Sequence, residues 1–391
     1  GSKALIDLSN ATVSKATGTN TPEIKANGGT IKMKSSDITT IIADAGSNSG
    51  AKLTVTGANG KLIAVGDDTI TLSKDKLGAT AGAKGGIGVG AEGKFVATDL
   101  LITGADAGVA VHANGNVQAD VLTLKSAQAE QSKLGAGNFV AVNSLSSTKG
   151  DGAVSAILVS GGKLTLGSAD GAADATGELG SSLKIGDTGA SGSLIVAGGN
   201  WAASSQDVTL DSGSIVIGGQ LASTAKPEDP FTGASLSVKT LTTNKDTLTV
   251  SKGAKLSADA LVNSGAVITV ANGASASFKT LDMSTGTGTL KVSGSVSVQG
   301  KAAQAQTAAA PSQPQPQPQQ PATADSVKLH QGAITVTNKG DLSFGKDAVA
   351  AIKVGAAGTA LTVDSGSFVD GSITVEKGGV VNMAFGKDDV F

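Results

Sequence analysis

Leu194-Ile195-Val196, Ile215-Val216-Ile217, Leu236-Ser237-Val238, Leu248-Thr249-Val250, Ile268-Thr269-Val270 and Leu290-Lys291-Val292 are one short motif returning along the chain. The steps between successive first residues are 21, 21, 12, 20 and 22. In each triplet the outer two side chains share a face and the middle one opposes them, as the period of two in a strand requires. One such strand has no core of its own. Strands recurring at a near-constant interval, with Gly and Asn between them, stack into rungs that share a continuous core. The step of 12 puts two triplets on different sides of one rung, so triplets outnumber rungs.

Composition agrees. A chain of 391 residues would ordinarily split into two or three domains, but a solenoid grows along one axis and escapes that limit. The 55 glycines are about twice the usual share, and a β chain rich in Gly is a chain of many turns. Apolar residues make up 39% and aromatic residues 2%. A narrow core of Val, Ile, Leu and Ala follows.

The missing residue types exclude several functions. Without Cys the chain has no disulfides, no thiolate nucleophile and no cysteine zinc site. All 30 basic residues are Lys, so the two-point grip of Arg on phosphate or carboxylate is lacking. With a net charge of −2 and lysines scattered singly, no basic run tracks a nucleic-acid backbone, and nucleic acid is not expected as a partner. No stretch reaches the roughly 18 apolar residues of a membrane helix, so no transmembrane segment is expected in this fragment. Gly1-Ser2 reads as a cloning scar, and the chain as an excised piece of a larger protein.

Along the chain the texture is repeat, interruption, repeat: rungs over 1–300, a Pro/Gln-rich loop or linker over 301–326, then continuing rungs over 327–391. Leu5–Val13, Thr30–Met33, Ile38–Ile42, Lys52–Thr56, Lys61–Val65 and Thr69–Leu72 are expected as irregular early strands. Five of the eight prolines fall in Pro311–Pro321, where they favour extended, solvated backbone. The best helical candidate, Ser126–Lys133, is short and polar, so a loop or a single helical turn serves equally well. Helix is expected in less than about 5% of the chain, against the usual third.

Candidate chemistry falls at the corners of the repeat. Asp211-Ser212-Gly213-Ser214 resembles a serine-protease nucleophile, and His112 precedes it in the order a triad needs. The preceding residue is Leu210 where such a motif carries Gly, and the same tetrapeptide recurs at Asp364-Ser365-Gly366-Ser367 between two apolar strands. A rung turn accounts for both. Asp67-Asp68, Glu228-Asp229 and Asp388-Asp389 are adjacent carboxylates, but neighbours on a strand face opposite ways while glycosidic cleavage needs two on one cleft. No catalytic residue, metal ligand or cofactor is assigned. As binding residues the sequence offers Lys226, Glu228, Asp229 and Phe231 in one Pro-flanked loop, with Trp201 about one rung earlier. The alternative is that Trp201 and Phe231 pack over the edge of the core.

Stretches such as Leu248–Leu256 (Leu-Thr-Val-Ser-Lys-Gly-Ala-Lys-Leu) and Val267–Phe278 (Val-Ile-Thr-Val-Ala-Asn-Gly-Ala-Ser-Ala-Ser-Phe) share a strand–Asn/Lys-Gly-Ala–strand idiom. It resembles the passenger domains of autotransporters, the type V secreted proteins of Gram-negative bacteria, most clearly over 180–300 and 327–391. The resemblance implies a right-handed parallel β-helix, here of roughly 16–19 rungs and about 80–90 Å, exported to the outer membrane and cell surface. It further implies an adhesin that self-associates in aggregation and biofilm formation. The Gly-Asp-Ser-Gly motif of the protease branch is absent, so its activity is not carried over. Host glycans or extracellular-matrix proteins are the alternative partners, and an enzyme acting on polysaccharide or peptide is a third reading.

Overall fold

A computed structural model describes residues 4–298 except for 12–22, 44–51, 74, 80–83, 105–108, 129, 168–175, 219–232 and 284–285, and beyond 298 it describes only the backbone of strands between 327 and 384. Five of the six triplets lie on one parallel ladder, and Leu236-Ser237-Val238 lies on a second. The in-register column of the first runs Leu5, Thr30, Lys61, Lys94, Asn116, Asn138, Lys163, Ser193, Ser214, Thr247, Val267, Thr289, Ala333, Ala360, Val380. These fifteen strands make face A of a parallel β-helix about 70 Å long at ordinary strand spacing.

The next column along is the core. Ile31, Leu62, Phe95, Val117, Phe139, Leu164, Leu194, Ile215, Leu248, Ile268 and Leu290 stack on one another and are all buried. Burying each such side chain is worth about 1.5–3 kcal/mol, and none achieves it without the rungs on either side. Among the described residues the ladder counts fifteen strands, and the Leu236 and Leu248 triplets share one turn of the coil.

Two further ladders close the cross-section. Face B runs through strands beginning at Ile70, Leu100, Val121 and Ser144, then through Trp201, Leu236, Leu256, Ala276 and Val296. Face C runs through Leu134, Val159, Ile185, Leu210, Thr243 and Asn263. Several corners need no loop. In Lys94–Gly104 and Asn116–Ser126 alternate burial breaks once, at Thr98-Asp99 and Asp120-Val121, and the strand passes from face A to face B there. In Ser235–Thr243, Lys255–Asn263 and Ser275–Met283 the break falls at Lys239, Asp259 and Lys279 and turns face B into face C. Gly213 shows what a tighter corner demands: its φ is 114°, and a Cβ there would lie 1.9 Å from the Gly192 carbonyl oxygen of the preceding rung.

Two expectations are corrected. Ile38–Ile42 is not a strand; it lies in the helix Ser35–Ala43. Ile38, Ile41 and Ile42 have the three-and-four spacing of one helical face, and the helix packs against Ile70–Ser73, the first strand of face B. It covers a sheet edge that would otherwise offer unpaired backbone groups. The Lys76 ammonium donates to the Ile42 carbonyl at 3.0 Å, satisfying a C-terminal helix acceptor. Ser126–Lys133 is not helical: Ser126 ends a face B strand, and Gln131–Leu134 is a strand of face C. The segment 301–326 lies outside the described residues. The strands after it stack on those before, Val327 against Leu281 and Ala333 against Thr289.

Candidate functional site

The edge between faces C and A gathers chemistry that the sequence spreads over more than a hundred residues. Each of these face C strands ends in a buried residue, and the next position forms a column along the edge: His112, Gly135, Ser160, Gly186, Asp211, Asn244. Asp187 sits beside this column. It accepts the Gly189 and Ala190 N–H groups at 2.8 Å each and the Ser160 hydroxyl at 2.9 Å, with the Lys133 ammonium 3.7 Å away. The Gly189 N–H, the Ser160 hydroxyl and the Ala190 N–H hold its carboxyl below the ordinary range.

One rung on, Lys184 pairs with Asp211 at 2.7 Å and Asn244 donates to the same carboxylate at 2.7 Å. Burial pushes the Asp211 carboxyl upward, but the hydrogen bonds from Lys184 and Asn244 outweigh it and the net shift is downward. The Ser191 and Ser212 hydroxyls meet at 2.8 Å, and Asp246 takes the Gly213 N–H at 2.6 Å. From Lys133 to Asp246 the edge is polar across five successive face C strands. Exposed pairs of this kind contribute at most about 1 kcal/mol each to stability. What they do is hold cations and anions at fixed positions along the rod.

The triad fragment dissolves into this edge. Asp211 and His112 occupy the same column four steps apart, about 19 Å by strand spacing. Ser212 bonds to a serine, and the exposed His112 ring lies against Gly135 of the next rung. Among the described residues no group of three His, Asp or Glu is placed to hold a metal ion.

Of the residues proposed for binding, Trp201 is 1% exposed and belongs to the core, with its indole N–H donating to the Gly198 carbonyl at 3.2 Å. Room for it comes from Gly177 directly below, where a Cβ would lie 2.4 Å from the indole carbons. Trp201 therefore offers no ring to a ligand. Lys226, Glu228, Asp229 and Phe231 lie outside the described residues. Every described aromatic side chain, Phe95, Phe139, Trp201 and Phe278, is buried.

The polar edge itself escaped the motif search, because Lys184, Asp211 and Asn244 are 27 and 33 residues apart. The available signal was positional: Asp or Asn directly after, or one residue beyond, the last buried residue of a face C strand. No described helix is long and apolar enough to cross a membrane. Compared with family models, curated proteins and solved structures, the chain matches none.

Proposed function

We propose that this chain is the passenger of an autotransporter-type adhesin on a bacterial surface, and that it self-associates between neighbouring cells without catalysing a reaction. The observation that carries the reading is the polar edge from Lys133 to Asp246, where ammonium and carboxylate groups sit side by side over several rungs. Two copies laid antiparallel along this edge bring the cations of one opposite the anions of the other. Many weak contacts then add through multivalency, with no deep pocket required. A near-zero net charge keeps the general repulsion between rods small.

Display on cells tests it. Cells carrying the wild-type rod clump, and clumping weakens as salt shortens the reach of exposed charges to a few ångströms. Cells carrying Asp187→Lys with Asp211→Lys do not clump with each other, yet clump with cells carrying Lys133→Glu and Lys184→Glu. Rods that never aggregate cells at any salt concentration would sink the proposal.

A further inference from the structure

Face B carries a second surface of different chemistry. Over four rungs its strands read Ser235-Leu-Ser-Val238, Lys255-Leu-Ser-Ala258, Ser275-Ala-Ser-Phe278 and Ser295-Val-Ser-Val298. They pair in register, Ser235 with Lys255, Ser275 and Ser295, and Ser237 with Ser257, Ser277 and Ser297. The alternate residues Leu236, Leu256, Ala276 and Val296 are buried, so the serines face out as two columns about 6.6 Å apart with about 4.8 Å between rungs. Among the described residues the hydroxyls of Ser237, Ser257, Ser275, Ser277, Ser295 and Ser297 have no protein partner. This is a floor of free donors and acceptors.

Lysines border it. Lys239, Asp259 and Lys279 stack where face B bends into face C, and Asp259 is paired with Lys279 at 2.6 Å. At the opposite margin the Lys252 stem lies over Gly273 of the next rung, and Lys255 rises from the floor itself. Lys239, Lys252 and Lys255 are exposed and have no ion-pair partner among the described residues. Among the described residues of these strands and their margins, four lysines thus surround one aspartate, in a chain of net charge −2. Lysines scattered singly in the sequence are gathered by the rung period into the basic patch that the sequence reading did not expect.

We propose that this face is a docking track for an extended anionic polysaccharide, one bearing sulfate or uronate groups, lying along the axis of the rod. Serine hydroxyls complement sugar hydroxyls, which also both donate and accept, and the ammonium groups complement the anions. With no exposed aromatic side chain among the described residues, each sugar is held weakly, and a polymer spanning several rungs sums the contacts. The floor has no apolar patch to anchor a folded protein. It has no aromatic ring on which the bases of a single-stranded nucleic acid would stack. Its positive excess also repels a second copy of itself.

The test uses the whole purified chain with dextran sulfate, polygalacturonate and uncharged dextran as probes, so it is read apart from cell clumping. Saturable binding to dextran sulfate or polygalacturonate is expected at about 50 mM salt, falling at least about tenfold by about 300 mM, with none to dextran. The two anionic arms distinguish sulfate from carboxylate recognition. Replacing Lys239, Lys252 and Lys255 together by Ala weakens binding at least about tenfold, each lost contact adding to the fall. Ser257→Asp with Ser277→Asp abolishes binding while every lysine remains. Lys133→Ala with Lys184→Ala, on the other edge, leaves binding unchanged. Circular dichroism melting curves like the wild type's show that the variants are folded. Failure of both anionic polymers to bind, an unaffected triple variant, or an equal loss from the Lys133/Lys184 pair overturns the proposal.

Discussion

At the scale of single residues, Trp201 and Gly177 show how the stack sets what each position tolerates. The indole occupies space that exists only because the residue below has no side chain. Gly177→Ala is expected to destabilise the fold by about 1–3 kcal/mol, the cost of overpacking a close-packed core, measured by denaturant unfolding. Adding Trp201→Leu to Gly177→Ala should cost less than the two changes summed, since each relieves the other. Strict additivity would mean that the two side-chain sites do not meet. This pair also shows why the sequence leaves two readings of Trp201 open, of which core packing is the one observed. Trp201 follows the turn Gly198-Gly199-Asn200, where an exposed aromatic is reasonable, and the void that admits it is coded 24 residues earlier.

Among the elements, the corners carry the polar groups that fix one rung to the next. Asn263 is buried at the end of a face C strand. Its carbonyl oxygen accepts the Ala266 N–H at 3.0 Å and the Thr243 hydroxyl at 3.1 Å, while its amide donates to the Ala266 carbonyl at 3.1 Å. Asn263→Ala strands these groups and should cost about 1–3 kcal/mol, with Asn263→Asp intermediate, again read by denaturant unfolding. Ser147 plays a comparable part at an excursion of the chain. Its hydroxyl meets those of Ser132 and Ser155 at 2.8 and 2.6 Å, clamping the feet of the antiparallel turn closed by Thr148 and Val154.

The apolar alternation that made the ladder legible in the sequence says nothing of these contacts, because each joins residues about one rung apart or across a corner. The helix Ser35–Ala43 was missed for a related reason. Three isoleucines in a β-rich neighbourhood fit either period over so short a span, and only the uncovered edge of Ile70–Ser73 decides between them. Face A could be read because Leu194, Ile215 and Ile268 repeat in one register. Neither the polar edge nor the serine floor could be, since Lys184 and Asp211, or Lys239 and Lys279, become neighbours only once the rungs are stacked.

For the whole molecule, the acids of the polar edge set a pH window. Asp187 and Asp211 have folded values below the unfolded one. What they add is therefore complete above the unfolded value of about 3.9 and is lost as pH falls through the lower folded values. Clumping of displaying cells is expected to hold from neutral pH to about pH 4 and to fail only at lower pH, as the lowered folded values are passed, scored by settling. Loss beginning near pH 6 would point to other groups.

The ladder also sets how the rod yields to force. Its fifteen strands are bonded to one another along the rod, while the chain winds across it. A tether pulled at its two ends therefore does not load these bonds all at once. Tension peels the end rung first, and each release of about 20 residues pays out about 70 Å of slack. Stretched between optical traps, the rod should lengthen in a series of such steps, and a single abrupt rip would contradict this picture. A load tethered through the rod would be slowed by many small yields before the tether failed.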